Sequence, residues 1–92
     1  MFGADVVEFG DKEVDIELLF YIERQHEPDL DNLVKFVLDA LQLPFTVNGK
    51  EYKIINNDRR VMKIVAEKRF VIEGQIPSTT IKILPREVEI AF

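Results

Sequence analysis

The sequence predicts an α+β fold in which one main helix packs on a mixed, mostly antiparallel sheet. Three stretches carry that prediction. Leu30, Leu33, Val34, Val37, Leu38 and Leu41 recur at the spacing of one helical face. Val14, Ile16, Leu18, Phe20 and Ile22 alternate with Asp15, Glu17, Leu19, Tyr21 and Glu23, the period of a strand with one apolar side. Asn48-Gly49 separates two β-rich runs, and that pair favours a type I′ hairpin turn because both central residues need positive φ.

The remaining elements follow in chain order. Residues 5–9 (DVVEF) form a short β-rich run, and Gly10-Asp11 reads as a turn. The first long strand spans Val14 to Arg24, and Gln25 to Pro28 is a short loop. Asp29 occupies the N-cap position of the helix, and Pro28 blocks its extension upstream. Pro44 marks the other end. Phe45-Thr46-Val47 and Tyr52-Lys53-Ile54-Ile55 are the hairpin arms, followed by a polar break at residues 56–58. Residues 60–72 carry apolar side chains at both helical and strand spacings. Their β-branched and aromatic content (Val61, Ile64, Val65, Phe70, Val71, Ile72) favours a strand. A loop over 74–78 leads to two short strands, 79–84 and 87–91, separated by Pro85.

Ninety-two residues make a single domain, 1–92, which buries only about two thirds of the surface its unfolded chain exposes. Such a domain holds one helix layer on one sheet, so an active site is expected to be an open surface or one shared between subunits. The chain has no cysteine and one histidine, His26. That excludes disulfides, thiolate zinc sites and cysteine nucleophiles, and a lone loop histidine is left out of the site. The longest apolar run, Leu18 to Ile22, is too short to span a bilayer. The first eleven residues carry acids and no bases, unlike a signal peptide, so a soluble cytoplasmic protein without a membrane partner is expected. The net charge of −5 rules out nucleic-acid binding by bulk electrostatics; such binding needs a local basic patch or a metal ion.

The acids that can act together are Asp29 and Asp31, two apart at the junction of strand, loop and helix. Paired carboxylates hold a hard cation such as Mg²⁺, which takes one or two of them plus waters and a phosphate oxygen. Asp58, in the polar break, is the candidate third ligand. Lys35, one helical turn past Asp31, is placed to neutralise a phosphate oxygen. The same residues also admit a purely structural reading. Asp29 then caps the helix, Asp31 complements its dipole, Lys35 pairs with Asp31 and Asp39, and Asp58 is a turn residue.

The segments PDLDNLVKFVLDAL and NDRRVMKIVAEK resemble the RusA family of Holliday-junction resolvases. The family pattern D-x-D-N-x-x-K-x-x-x-D-A-L is matched by Asp29, Asp31, Asn32, Lys35, Asp39, Ala40 and Leu41. Its second block, an acidic pair and an apolar strand ending in lysine, is matched by Asp58, Val61 and Lys68. The resemblance implies a RusA-like fold and a homodimeric endonuclease that nicks four-way DNA junctions symmetrically during recombination and repair, leaving 5′ phosphates. It further implies Mg²⁺ or Mn²⁺ held by Asp29, Asp31 and Asp58, with Lys35 as the catalytic lysine. The chain departs from the pattern at Asn57, which replaces one carboxylate of the acidic pair, and at Glu27, where a base is common. Its N-terminal part is shorter than the family's.

Arg59, Arg60, Lys63 and Lys68 form the basic segment nearest Asp58 and are expected, with Lys35, to position DNA phosphates. The alternative for these cations is a solvated strand edge that discourages aggregation. Phe36, opposite the main apolar stripe of the helix, reads as a subunit contact. A second functional reading, a non-catalytic dimeric interaction module on the same scaffold, is motivated by the acidic composition, Asn57 and the short N-terminal part. A third is a nuclease for other branched or flapped DNA.

Overall fold

The computed structural model describes residues 8–86. Its elements in chain order are β1 (Val14–Ile22), a 3-10 turn (Arg24–His26), α1 (Leu30–Leu41), β2 (Phe45–Val47) and β3 (Lys50–Tyr52). A second 3-10 turn (Asp58–Arg60) then leads into β4 (Val61–Phe70) and β5 (Ser78–Pro85). The main sheet has the order β4-β1-β5, and β2 and β3 form a separate hairpin. β1 runs parallel to β4 and antiparallel to β5. The sheet is therefore mixed, and among the described residues two of the three strand pairings are antiparallel.

The alternation in β1 dictates the core. Val14, Ile16, Leu18 and Phe20 are buried beneath α1, which contributes Val37 and Leu41; Ile55 completes the buried set. In register with these residues, β4 turns Ile64, Ala66, Lys68 and Phe70 to the helix side of the sheet. Val14 pairs with Val61 and Asp15 with Lys63, so Met62 is an extra residue that bulges β4 at its start. The opposite face carries Asp15, Glu17, Leu19 and Tyr21, with ion pairs Glu17–Lys82 (4.0 Å), Asp15–Arg86 (3.5 Å) and Glu67–Arg69. A helix about 10 Å wide covers the central strand but not both neighbours. Ile64 and Ile81 accordingly remain partly open. This incomplete cover is why residues 60–72 show no clean period in sequence.

The hairpin turn is as expected, with positive φ at Asn48 (52°) and Gly49 (80°). Its second arm is not. β3 spans Lys50–Tyr52 instead of residues 52–55, because Ile54 and Ile55 are used elsewhere. The Ile55 amide donates to the Leu41 carbonyl at 3.1 Å, and the Phe9 amide donates to the Ile54 carbonyl at 2.9 Å. Ile55 thus enters the core and satisfies a carbonyl at the end of α1. Of the short β-rich run at 5–9, Glu8 and Phe9 are not in a strand, and residues 5–7 lie outside the described residues. So does the expected strand 87–91. β5 is longer than the expected 79–84 and includes Pro85 as its last residue.

Candidate active site

The D-x-D segment sits where β1 hands over to α1. After Ile22 the chain makes the 3-10 turn at Arg24–His26 and passes through Glu27 and Pro28 to Asp29. Asp29 has the extended N-cap conformation (φ −67°, ψ 143°), and its carbonyl accepts from Leu33 at 3.2 Å. Its carboxylate makes no capping hydrogen bond. The backbone half of the capping role is therefore filled while the carboxylate is not engaged in it. Asp31, in the first turn, accepts only the adjacent Asn32 amide, at 3.0 Å. Both residues are exposed. Two exposed carboxylates beside open solvent suit Mg²⁺, which takes one or two of them and keeps several waters. Lys35 is exposed one turn further along, and among the described residues it forms no ion pair.

Asp58 is elsewhere. Its amide donates to Gln42 Oε1 at 3.1 Å, and Gln42 is the C-cap of α1. Gln42 Nε2 donates in turn to the Leu38 carbonyl at 3.0 Å. One side-chain amide thus straps the second 3-10 turn to the end of the helix. Asp29 and Asp58 therefore occupy opposite ends of a twelve-residue helix, which is about 18 Å long. The parallel sheet agrees: Asp58 precedes the Val61 end of β4, beside Val14, whereas Asp29 follows the Ile22 end of β1. Ligands of one Mg²⁺ each approach it to about 2.1 Å, so a single chain does not bring Asp58 to Asp29 and Asp31. Among the described residues no three histidines or carboxylates gather to hold a metal.

The basic residues divide between the two ends. Arg59 and Arg60 share the 3-10 turn of Asp58 and are exposed. Asn57 caps that turn, its Oδ1 accepting from the Arg59 amide at 2.9 Å. This gives the amide in the family's acidic pair a local structural function. Lys63 opens β4 on the sheet face away from the helix. Lys68 lies at the Asp29 end, and its ammonium is engaged within the protein. Lys68 Nζ pairs with Glu27 Oε1 at 2.8 Å and donates to the Pro28 carbonyl at 3.2 Å. The Arg24 guanidinium lies over the Phe70 ring, 3.9 Å from its centroid. His26 faces only Glu23, at 3.5 Å. Sequence reasoning missed Gln42 and the partnership of Glu27 with Lys68. The one available signal was Glu27 itself, an acid where the family pattern carries a base.

Among the described residues no helix is long and apolar enough to cross a membrane. The sequence model of the family described as Endodeoxyribonuclease RusA matches residues 8–84, which takes in β1 to β4, β5 but for its last residue, and both candidate acidic segments. No curated protein and no solved structure matches the chain. On that match the chain belongs to the RusA family of endodeoxyribonucleases, whose activity is the resolution of Holliday junctions in branched DNA.

Proposed function

We propose that this protein is a Mg²⁺-dependent endonuclease that resolves four-way DNA junctions by paired symmetric nicks, acting as a homodimer. The carrying observation is the pair of exposed carboxylates at the start of α1, with Lys35 one turn beyond and Asp58 at the helix's far end. Each copy is then half of a site. Phe36, at the middle of α1, is 74% exposed, and Leu43, just past its end, is 62% exposed. With Asn32 and Ala40 they form one stripe on the face turned from the sheet. Two copies packed antiparallel through that stripe place the start of one helix beside the end of the other. Helices packed in this way lie about 8–10 Å apart, a gap that side chains span. The partner's Asp58 then faces Asp29 and Asp31, and a two-fold axis relates two such sites, which suits a substrate cut twice.

In this reading Asp29, Asp31 and the partner's Asp58 hold Mg²⁺ or Mn²⁺. The bound ion supplies an acidified water and positive charge against the scissile phosphate. Lys35 neutralises a non-bridging phosphate oxygen. Arg59 and Arg60, arriving with the partner's Asp58, hold the flanking phosphates, and Lys63 extends that basic track. A local track is required because the chain as a whole, at −5, repels DNA. The test is incubation of the purified protein with a synthetic four-way junction and Mg²⁺. Paired nicks at symmetric positions, lost in Asp31→Asn, are expected. An intact junction under Mg²⁺ and Mn²⁺ alike removes the activity and leaves the dimeric interaction module.

A further inference from the structure

We infer that Lys68 is a positioning residue for the D-x-D carboxylates, acting through the loop that carries them; the inference rests on the metal reading above. Lys68 sits on the helix-facing side of β4, opposite Phe20 and flanked by Ala66 and Phe70. Its side chain is only 21% exposed, so the stem lies along the sheet and the ammonium emerges at the end of the strand. There it meets Glu27 Oε1 at 2.8 Å and the Pro28 carbonyl at 3.2 Å.

The second contact has the larger consequence. The ring of Pro28 fixes its φ. A hydrogen bond to its carbonyl oxygen restricts its ψ. With both torsions restricted, the peptide plane entering Asp29 is held in place, which narrows the directions from which the Asp29 carboxylate can leave the backbone. Among the described residues Lys68 is the only side chain that donates to residues 27–28. The Arg24–Phe70 contact pins the other end of the same linker to the same strand. The exposed linker is thus held at two points by the end of β4, next to two carboxylates that have no strong partner of their own. Glu27 pairs with the ammonium where it emerges, which accounts for an acid at this position. The charge of Lys68 is thereby directed at the loop rather than at DNA.

The experiment measures Mn²⁺ affinity of the full-length protein by calorimetry and, without metal, amide hydrogen exchange at Leu33, whose N–H donates to the Asp29 carbonyl. Lys68→Met keeps the stem and removes the ammonium. It is expected to weaken Mn²⁺ binding about tenfold, the usual range for partners that orient metal ligands. Exchange at Leu33 should quicken while that of the Ile16 amide is unchanged. Lys68→Arg is expected to restore part of the affinity. The exchange of charges in Glu27→Lys/Lys68→Glu is expected not to, because a glutamate cannot donate to the Pro28 carbonyl. Should Lys68→Met fold poorly, Glu27→Gln loosens the same latch from the solvent side and is expected to weaken Mn²⁺ in the same direction. Mn²⁺ binding lost in Asp31→Asn but equal to wild type in both Lys68→Met and Glu27→Gln overturns the inference alone. Wild-type protein that binds no Mn²⁺ overturns the metal reading and the inference with it.

Discussion

Phe36 is the position at which the proposed dimer can be separated from the fold. Its side chain is 74% exposed in one protomer and stands outside the core cluster. A phenylalanine carries roughly 200 Å² of surface, so about 150 Å² of apolar area is free to be covered by a partner. At about 25 cal/mol per Å² its full burial contributes about 4 kcal/mol. Part of that is retained by the alanine methyl, and area converts incompletely into affinity, which leaves about 2 kcal/mol per copy. The two-fold axis doubles the effect, so Phe36→Ala is expected to weaken dimerisation by about 4 kcal/mol, on the order of a thousandfold in Kd. The protomer itself should not suffer, since alanine favours the helix by a few tenths of a kcal/mol over phenylalanine. Sedimentation velocity over a concentration series measures the first quantity, and thermal melting of the monomeric species measures the second. A Kd equal to wild type, or a protomer that melts markedly lower, refutes the assignment of this face to the subunit contact.

Three further outcomes follow from the same geometry. Ile55→Ala removes a fully buried side chain while keeping the backbone amide that donates to the Leu41 carbonyl; a loss of about 2–5 kcal/mol in denaturant unfolding is expected. Gln42→Met keeps the volume but drops both hydrogen bonds of the strap to Leu38 and Asp58. It should cost about 1–2 kcal/mol of stability and lower junction cleavage more than that loss explains, because Asp58 is released. Arg59→Ala and Arg60→Ala should each reduce the salt dependence of junction binding by roughly 0.9 in log–log slope. An unchanged slope places these arginines away from the DNA.

The sequence made legible what is local and left open what depends on distant pairing. The helix and β1 announce themselves because each buries one face, and burial writes a period into the residues. The D-x-D segment was legible for the same reason, since its two acids are neighbours at a junction of two readable elements. β3 was misplaced because Ile54 and Ile55 have strand-like side chains but serve the core and the end of α1. β4 was ambiguous because the single helix leaves part of its apolar face open. The separation of Asp58 from Asp29 follows from the parallel register of β1 with β4, a pairing over about fifty positions that no local pattern specifies. The tie from Lys68 to Glu27 spans 41 residues and was equally out of reach.

A mixture of two variants, each expected to be inactive, tests the proposed two-chain site most directly. Asp31→Asn and Asp58→Asn each disable both sites of their own homodimer. In a mixed dimer, Asp31 of one copy meets Asp58 of the other in a single intact site. Mixing and re-equilibrating the two proteins with a four-way junction and Mg²⁺ is therefore expected to restore nicking of one strand without the matching second nick. A mixture that stays as inactive as its components, although exchange into mixed dimers is verified, contradicts a site built from two chains.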